Sequence, residues 1–279
     1  MVELSNVESS EFRLRTFFLI FKFRNMLRLI FIFLLILAHS VSYGKKYTLS
    51  ETPNGLCLKQ WLGKDSVIDF NSHKELKKVK IIGEMAFEKN NHIKKVILPA
   101  QLKIIEKRAF NTCEKLEQVK IPPSVTYIGN SAFNMDRKLL LASLPDSLTE
   151  IGEWAFWDCN KVSISTIPQS VIKIGRQAFT CCEGITTLIF KNNMEVINDR
   201  CFSGCKNIER IVFPKNLKVI EHFAFARCIK LKCVDFPKSL EKISHQAFAN
   251  CWDLEIVNFS SAPNVDSTAF DNCKYHFGK

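Results

Sequence analysis

Eleven cysteines and six histidines are the side chains of this 279-residue chain best suited to chemistry, as metal ligands, disulfide partners or nucleophiles. Their spacing argues for a plainer role. Cys113, Cys159, Cys182, Cys205, Cys228, Cys251 and Cys273 fall on one slot of a 23-residue period, the last of them one residue early. Zinc needs ligands converging from short C-x₂₋₄-C pairs, whereas one cysteine per period reads as a buried ladder of small apolar groups. Cys201 and Cys205 make a C-x₃-C pair, but each belongs to its own repeat slot. Cys57, Cys181 and Cys233 lie off the ladder and their disulfide state stays open; an oxidising compartment would allow Cys57 to pair. The histidines hold no common slot, although His222 and His245 share a turn position one coil apart. No H-E-x-x-H, Ser/His/Asp pattern or Gly-rich phosphate loop accompanies them. The expectation is a protein without catalysis, metal or cofactor.

Phenylalanine sets the elements that carry these cysteines. Phe87, Phe110, Phe133, Phe156, Phe179, Phe202, Phe225 and Phe248 recur every 23 residues, and Phe270 follows one residue early. Ala precedes all of them except Phe202. A branched aliphatic stands five residues before each, from Ile82 to Val265, and another apolar residue six after, from Ile93 to Leu254. Pairs nine and eleven residues after, such as Val96/Leu98, Val119/Ile121 and Val234/Phe236, alternate as a short strand does. Proline then closes six of these strands (Pro99, Pro122, Pro145, Pro168, Pro214 and Pro237), because it cannot donate to a ladder. Turn formers and N-cap types such as Gly83, Gly129, Gly152, Asn198 and Asp266 precede each Ala-Phe, which predicts one short helical or 3₁₀ turn per coil.

A fixed period of this length is the mark of a leucine-rich-repeat solenoid. The predicted fold is an α/β repeat of about nine coils. Short parallel strands line its concave face, short helical or 3₁₀ turns its convex face, and the phenylalanines a shared interior. The unit I-G-x-x-A-F-x-x-C-x-x-L-x-x-V-x-I-P-x-S-V resembles the BspA-like, or Treponema-type, leucine-rich repeats. Residues 105–121 with Cys113, Leu116 and Pro122, and residues 174–190 with Cys182, match it closely, and the resemblance spans about residues 76–273. It implies a secreted or cell-surface protein, since several such proteins serve adhesion to extracellular matrix or to other cells.

Three segments follow: residues 1–44 as signal peptide or signal anchor, 45–69 as N-terminal cap, and 70–279 as the solenoid. The apolar run from Leu29 to Ala38, with Arg24 and Arg28 ahead of it, suits a signal sequence and is short for a membrane span. Met26 would start a compact version of it. The cap leads into a truncated first coil whose strand is read as Leu76-x-x-Val79-x-Ile81, and Tyr275 and Phe277 are placed to fold over the last coil.

Net charge is +11, of which residues 1–44 contribute +2. Lysines are interspersed with acidic residues, and no dense basic stripe or nucleic-acid motif is present, so nucleic acid is not an expected partner. The outward strand slots vary while the inward ones do not. Eight residues after each Phe they read Lys95, Gln118, Leu141, Ile164, Thr187, Arg210, Cys233 and Ile256; ten after, they include Lys120, Val212, Asp235 and Asn258. A fixed core under a varied face suits recognition of a protein or glycoprotein. The candidate binding residues are Lys95, Gln118, Lys120, Thr187, Arg210 and Asp235, with Asn258 of Asn258-Phe259-Ser260 as a candidate glycosylation site. The expected function is recognition or adhesion by a secreted or surface-displayed module. The alternative is an intracellular or membrane-anchored scaffold, with membrane contact only through the N-terminal segment. The sequence leaves ligand and oligomeric state open.

Overall fold

In a computed structural model describing residues 46–275, each coil presents three edges, and each edge is hydrogen-bonded along much of the stack. The expected signal segment and Phe277 lie outside the described residues. One edge carries the longer strands: Val67–Asp69, Lys95–Ile97 and Gln118–Lys120 form one parallel sheet, and Thr166–Ile167, Thr187–Phe190 and Arg210–Val212 a second. Cys233–Phe236 and Ile256–Phe259 form a third. A second edge consists of two-residue strands that contain the aliphatic five before each Phe, such as Ile104–Ile105, Glu150–Ile151 and Val219–Ile220, again parallel.

The third edge holds Ala-Phe and the ladder cysteine. It is a run of overlapping turns rather than a helix, because single 3₁₀-type bonds such as Ala86 N to Gly83 O and Asn90 N to Phe87 O do not propagate. Residues two before and two after the Phe take left-handed φ in most coils, as at Met85 (58°) and Lys89 (56°), or Trp154 (53°) and Asp158 (58°). Each such residue costs about 1 kcal/mol without glycine. The strain is offset because the twist points alternate amides at the next coil: Met85, Phe87 and Lys89 donate to Lys107, Ala109 and Asn111 at 3.1, 2.7 and 2.8 Å. True 3₁₀ helix occurs only at Phe70–Ser72 and Leu76–Lys78 among the described residues.

The phenylalanines are the interior. From Phe87 to Phe270 successive rings stack with centroids 4.8–5.5 Å apart and planes within 13°. Each buried ring stabilises the fold by roughly 1.5–3 kcal/mol through lost water contact alone. The column is capped with further aromatics. Trp61 stacks on Phe87 at 5.9 Å and Tyr47 on Trp61 at 5.8 Å, while Tyr275 meets Phe270 edge-on at 5.2 Å. Trp61 and Tyr47 come from an antiparallel hairpin, Tyr47–Thr52 and Gly55–Trp61, whose turn needs Gly55 at φ 113°. Its second strand pairs in parallel with Ile81–Ile82 and so joins cap to stack.

Two expectations are corrected here. The first coil's strand is Val67–Asp69, paired with Lys95–Ile97, whereas Leu76 and Val79 are buried in and after a 3₁₀ turn. Leu141 and Ile164 do not face outward; both are buried. In these two coils the inward slot has moved back by one, because the residue nine after the Phe is Ala142 or Ser165 rather than a branched aliphatic. The slip interrupts the long-strand edge between Gln118–Lys120 and Thr166–Ile167, where an isolated Gln118–Leu140 bridge is left.

Candidate interaction face

Alternation along each long strand decides what reaches solvent. In Lys95–Ile97 and Gln118–Lys120 the central valines, Val96 and Val119, point into the core, so Lys95, Gln118 and Lys120 stand on the outer surface. Parallel register sets Lys95 beside Gln118 and Lys120 beside Ile97. On the second sheet Thr187 neighbours Arg210 and Ile189 neighbours Val212. On the third, Asp235 neighbours Asn258, whose Nδ2 donates to Asp235 Oδ1 at 2.7 Å. All six candidate residues are thus exposed or half-exposed on one edge, but in three groups, the first set apart from the other two. Lys95, Gln118 and Lys120 are contiguous; Thr187 and Arg210 are contiguous; Asp235 belongs to a strand not hydrogen-bonded to Arg210–Val212. Between the first group and the others lie the slipped coils with short outward side chains, Ala142, Ser143, Ser163 and Ser165. With coils about 4.8 Å apart, Lys95 and Arg210 are about 24 Å apart across five coils.

Lys95, Lys120 and Arg210 form no ion pair with another described residue. Elsewhere neighbouring coils do pair charges, as in Lys173–Glu150 (2.5 Å), Lys206–Glu183 (2.7 Å) and Lys218–Glu195 (3.0 Å). Exposed Val67, Leu140, Val212 and Ile256 are interspersed with the free cations on the long-strand edge. Val67 lies in the segment that the sequence assigns to the cap, and Leu140 in a coil whose register has slipped; the available signal for the slip is Ala142 and Ser165 standing where other coils carry a branched aliphatic.

This family of surfaces is what the repeat produces. A model of the BspA type leucine-rich repeat region matches residues 66–167 and 156–276, with six copies. The chain belongs to that family. Its fold is similar to a leucine-rich repeat protein from Bacteroides ovatus, 28% identical, with a TM-score of 0.67 over 82% of this chain and 68% of that one. It is also similar to the T. pallidum leucine-rich repeat protein, 26% identical, with a TM-score of 0.62 over 67% of this chain and 89% of that one. Among curated proteins none matches significantly. The family is one of repeat proteins with an interaction surface, and no enzyme family is matched.

The residues with chemical potential are structural in this setting. All eleven cysteines are unpaired, and each ladder thiol donates to the carbonyl of the Phe one coil back, as Cys159 does to Phe133 (2.9 Å) and Cys182 to Phe156 (3.1 Å). Burial raises the thiol pKa from Cys113 to Cys251, and at Cys273 the hydrogen bond with Cys251 does so ahead of burial, which disfavours the thiolate that reactivity or zinc binding needs. Cys57 is buried under the cap beside Gly83. His245 lies 2.7 Å from Thr268 Oγ1, but that hydroxyl donates to Asp266 Oδ1 at 2.6 Å, so the imidazole must be the donor. These hydrogen bonds hold the Asp266 pKa down and cap a turn; no base is left to activate the hydroxyl. Among the described residues no cluster of three His, Cys, Asp or Glu is placed to hold a metal, and no helix is long and apolar enough to cross a membrane.

Proposed function

We propose that this protein is a non-catalytic recognition module, secreted or displayed at a cell surface, that binds a protein or glycoprotein through its long-strand face. The carrying observation is the set of unpaired cations, Lys95, Lys120 and Arg210, exposed beside Val67, Leu140, Val212 and Ile256 on a surface above a fixed apolar core. A spread of about 24 Å suits a macromolecule better than a metabolite. Free cations favour an acidic partner, and Gln118, Thr187 and Asp235 add hydrogen-bonding groups. Secretion is supported by the apolar run from Leu29 to Ala38 and by the habit of the resembling proteins. In such a compartment Asn258 would be open to glycosylation, and loss of mass with N-glycosidase would report it.

The test displays the full chain on beads against a panel of extracellular-matrix proteins. Lys120→Glu and Arg210→Glu should each weaken capture about tenfold, and added salt should do the same. Unaltered capture would move the site off this face. An intracellular scaffold is the second reading, favoured by eleven unpaired thiols, since oxidising compartments tend to pair cysteines. An unprocessed N-terminus on the protein from cells would support it.

A further inference from the structure

The edge of two-residue strands is one ladder as far as Lys173–Ile174 and another from Val196–Ile197, and no backbone hydrogen bond joins them. Its rule elsewhere is simple. Ile172 and Lys173 both donate to the Thr149 carbonyl (2.9 and 3.4 Å), and Gly175 donates to Ile151 (2.8 Å). One coil later the corresponding amides of Glu195 and Val196 find no carbonyl on the preceding coil, and the Ile172 carbonyl receives no backbone donor. Asn198 reaches across with its side chain instead, Nδ2 to Ile174 O at 2.6 Å, and buried Asn192 donates Nδ2 to Val171 O at 3.0 Å. The chain enters this strand without the usual proline, which is Lys191 here.

The other two edges of the same junction stay closed. Thr187–Phe190 pairs with Arg210–Val212, and Phe179 stacks on Phe202 at 5.4 Å. The opening is therefore local, a groove of about 460 Å³ between two strand edges, lined by Ile172, Lys173, Met194, Glu195 and Val196. Bare amides lie on one side and a bare carbonyl on the other. Its rim is apolar: Ile172 is 78% exposed and Val196 36%. The nearby charges are already used, Lys173 by Glu150 and Glu195 by Lys218.

We infer that this groove binds an extended peptide segment with small apolar side chains, taken from a partner as an added strand. Main-chain donors and acceptors facing each other across a gap are the complement of an extended backbone, which presents both along its length. With the rim charges neutralised by their own partners, an ion has nothing to bind here. Ile172 and Val196 would cover the side chains of such a segment. The groove is on a different edge from the long-strand face and does not depend on the function proposed for it.

Amide hydrogen exchange on the full chain tests this, with acetyl-Thr-Val-Thr-Val-amide as the probe. In the free protein the Glu195 and Val196 amides should exchange at least tenfold faster than those of Lys218 and Val219, which are bonded to Glu195 O at 2.8 and 3.0 Å. Saturating peptide should slow Glu195 and Val196 by about tenfold or more. The same peptide N-methylated at both valines should not, and Ile172→Glu, at a site exposed enough to spare the fold, should abolish the effect at unchanged melting temperature. Protection already present without peptide would mean the ladder is closed and overturn the inference. So would an absence of response to the peptide, which would leave a merely hydrated seam, or an equal response to the methylated form.

Discussion

The thiol of Cys113 donates to the carbonyl oxygen of Phe87, 3.0 Å away and one coil back. The same bond recurs at each of the other ladder cysteines, from Cys159 to Phe133 through Cys273 to Phe248. The slot is therefore chemically specified. It needs a small group carrying a proton, in a place that excludes water. Cys182→Ala should lower stability by about 1–2 kcal/mol, from a lost weak donor and a small cavity. Urea unfolding measures this, and an unchanged midpoint would show the bond to be incidental.

Accessibility separates the thiols by position. Cys233 is exposed on the long-strand face, Cys181 is half-buried with its pKa raised by burial, and the other nine are buried. A thiol reagent added to the native protein should modify Cys233 promptly and Cys181 slowly. The rest should react only on unfolding. Mass spectrometry of the labelled peptides reads the order, and early labelling of Cys205 or Cys228 would contradict the packing.

Much of this was legible because a 23-residue period repeats the same side chain in the same environment. The phenylalanine column and the cysteine slot follow from that alone. The two-residue strands did not show themselves, since Ile104–Ile105 or Lys173–Ile174 buries one side chain and is too short to alternate. Nor did the left-handed turn positions, which are held by Met85, Arg108, Trp154 and Phe223 rather than by glycine. The face was half legible. Lys95, Gln118, Lys120, Thr187, Arg210 and Asp235 are outward as their slots require, whereas Leu141 and Ile164 are not, because Ala142 and Ser165 stand where other coils carry a branched aliphatic and the inward register slips by one.

Asp136 occupies the cysteine slot of its coil and carries the strongest pH dependence expected of the stack. Its Oδ1 accepts from Cys113 N at 2.6 Å, its Oδ2 has no partner, and both are buried. Burial raises its pKa well above the ordinary 3.8. Below 3.8 the folded and unfolded chains both hold this proton; above it only the folded chain does, so stability falls as pH rises until the folded pKa is passed. The slope is about 1.4 kcal/mol per pH unit within that window. Asp136→Cys restores the donor and removes the titration. Its stability gain over the parent should be small near pH 3 and grow toward neutrality, and a gain independent of pH would rule out a protonated Asp136.

A stack in which each ring touches only its neighbours should lose stability according to position. Phe156 is held between Phe133 at 5.3 Å and Phe179 at 5.2 Å and is fully buried. Phe156→Ala should cost about 3–5 kcal/mol, because the flanking rings cannot close the gap without breaking three ladders at once. Phe270, in the last of the described coils, stacks on Phe248 at 5.4 Å, meets Phe259 and Tyr275 edge-on and keeps some solvent contact. Its surroundings can relax, so Phe270→Ala should cost about half as much. Thermal melts of the two variants give the comparison. Equal losses would mean that the solenoid unfolds as one cooperative block in which the end coil is as indispensable as the middle.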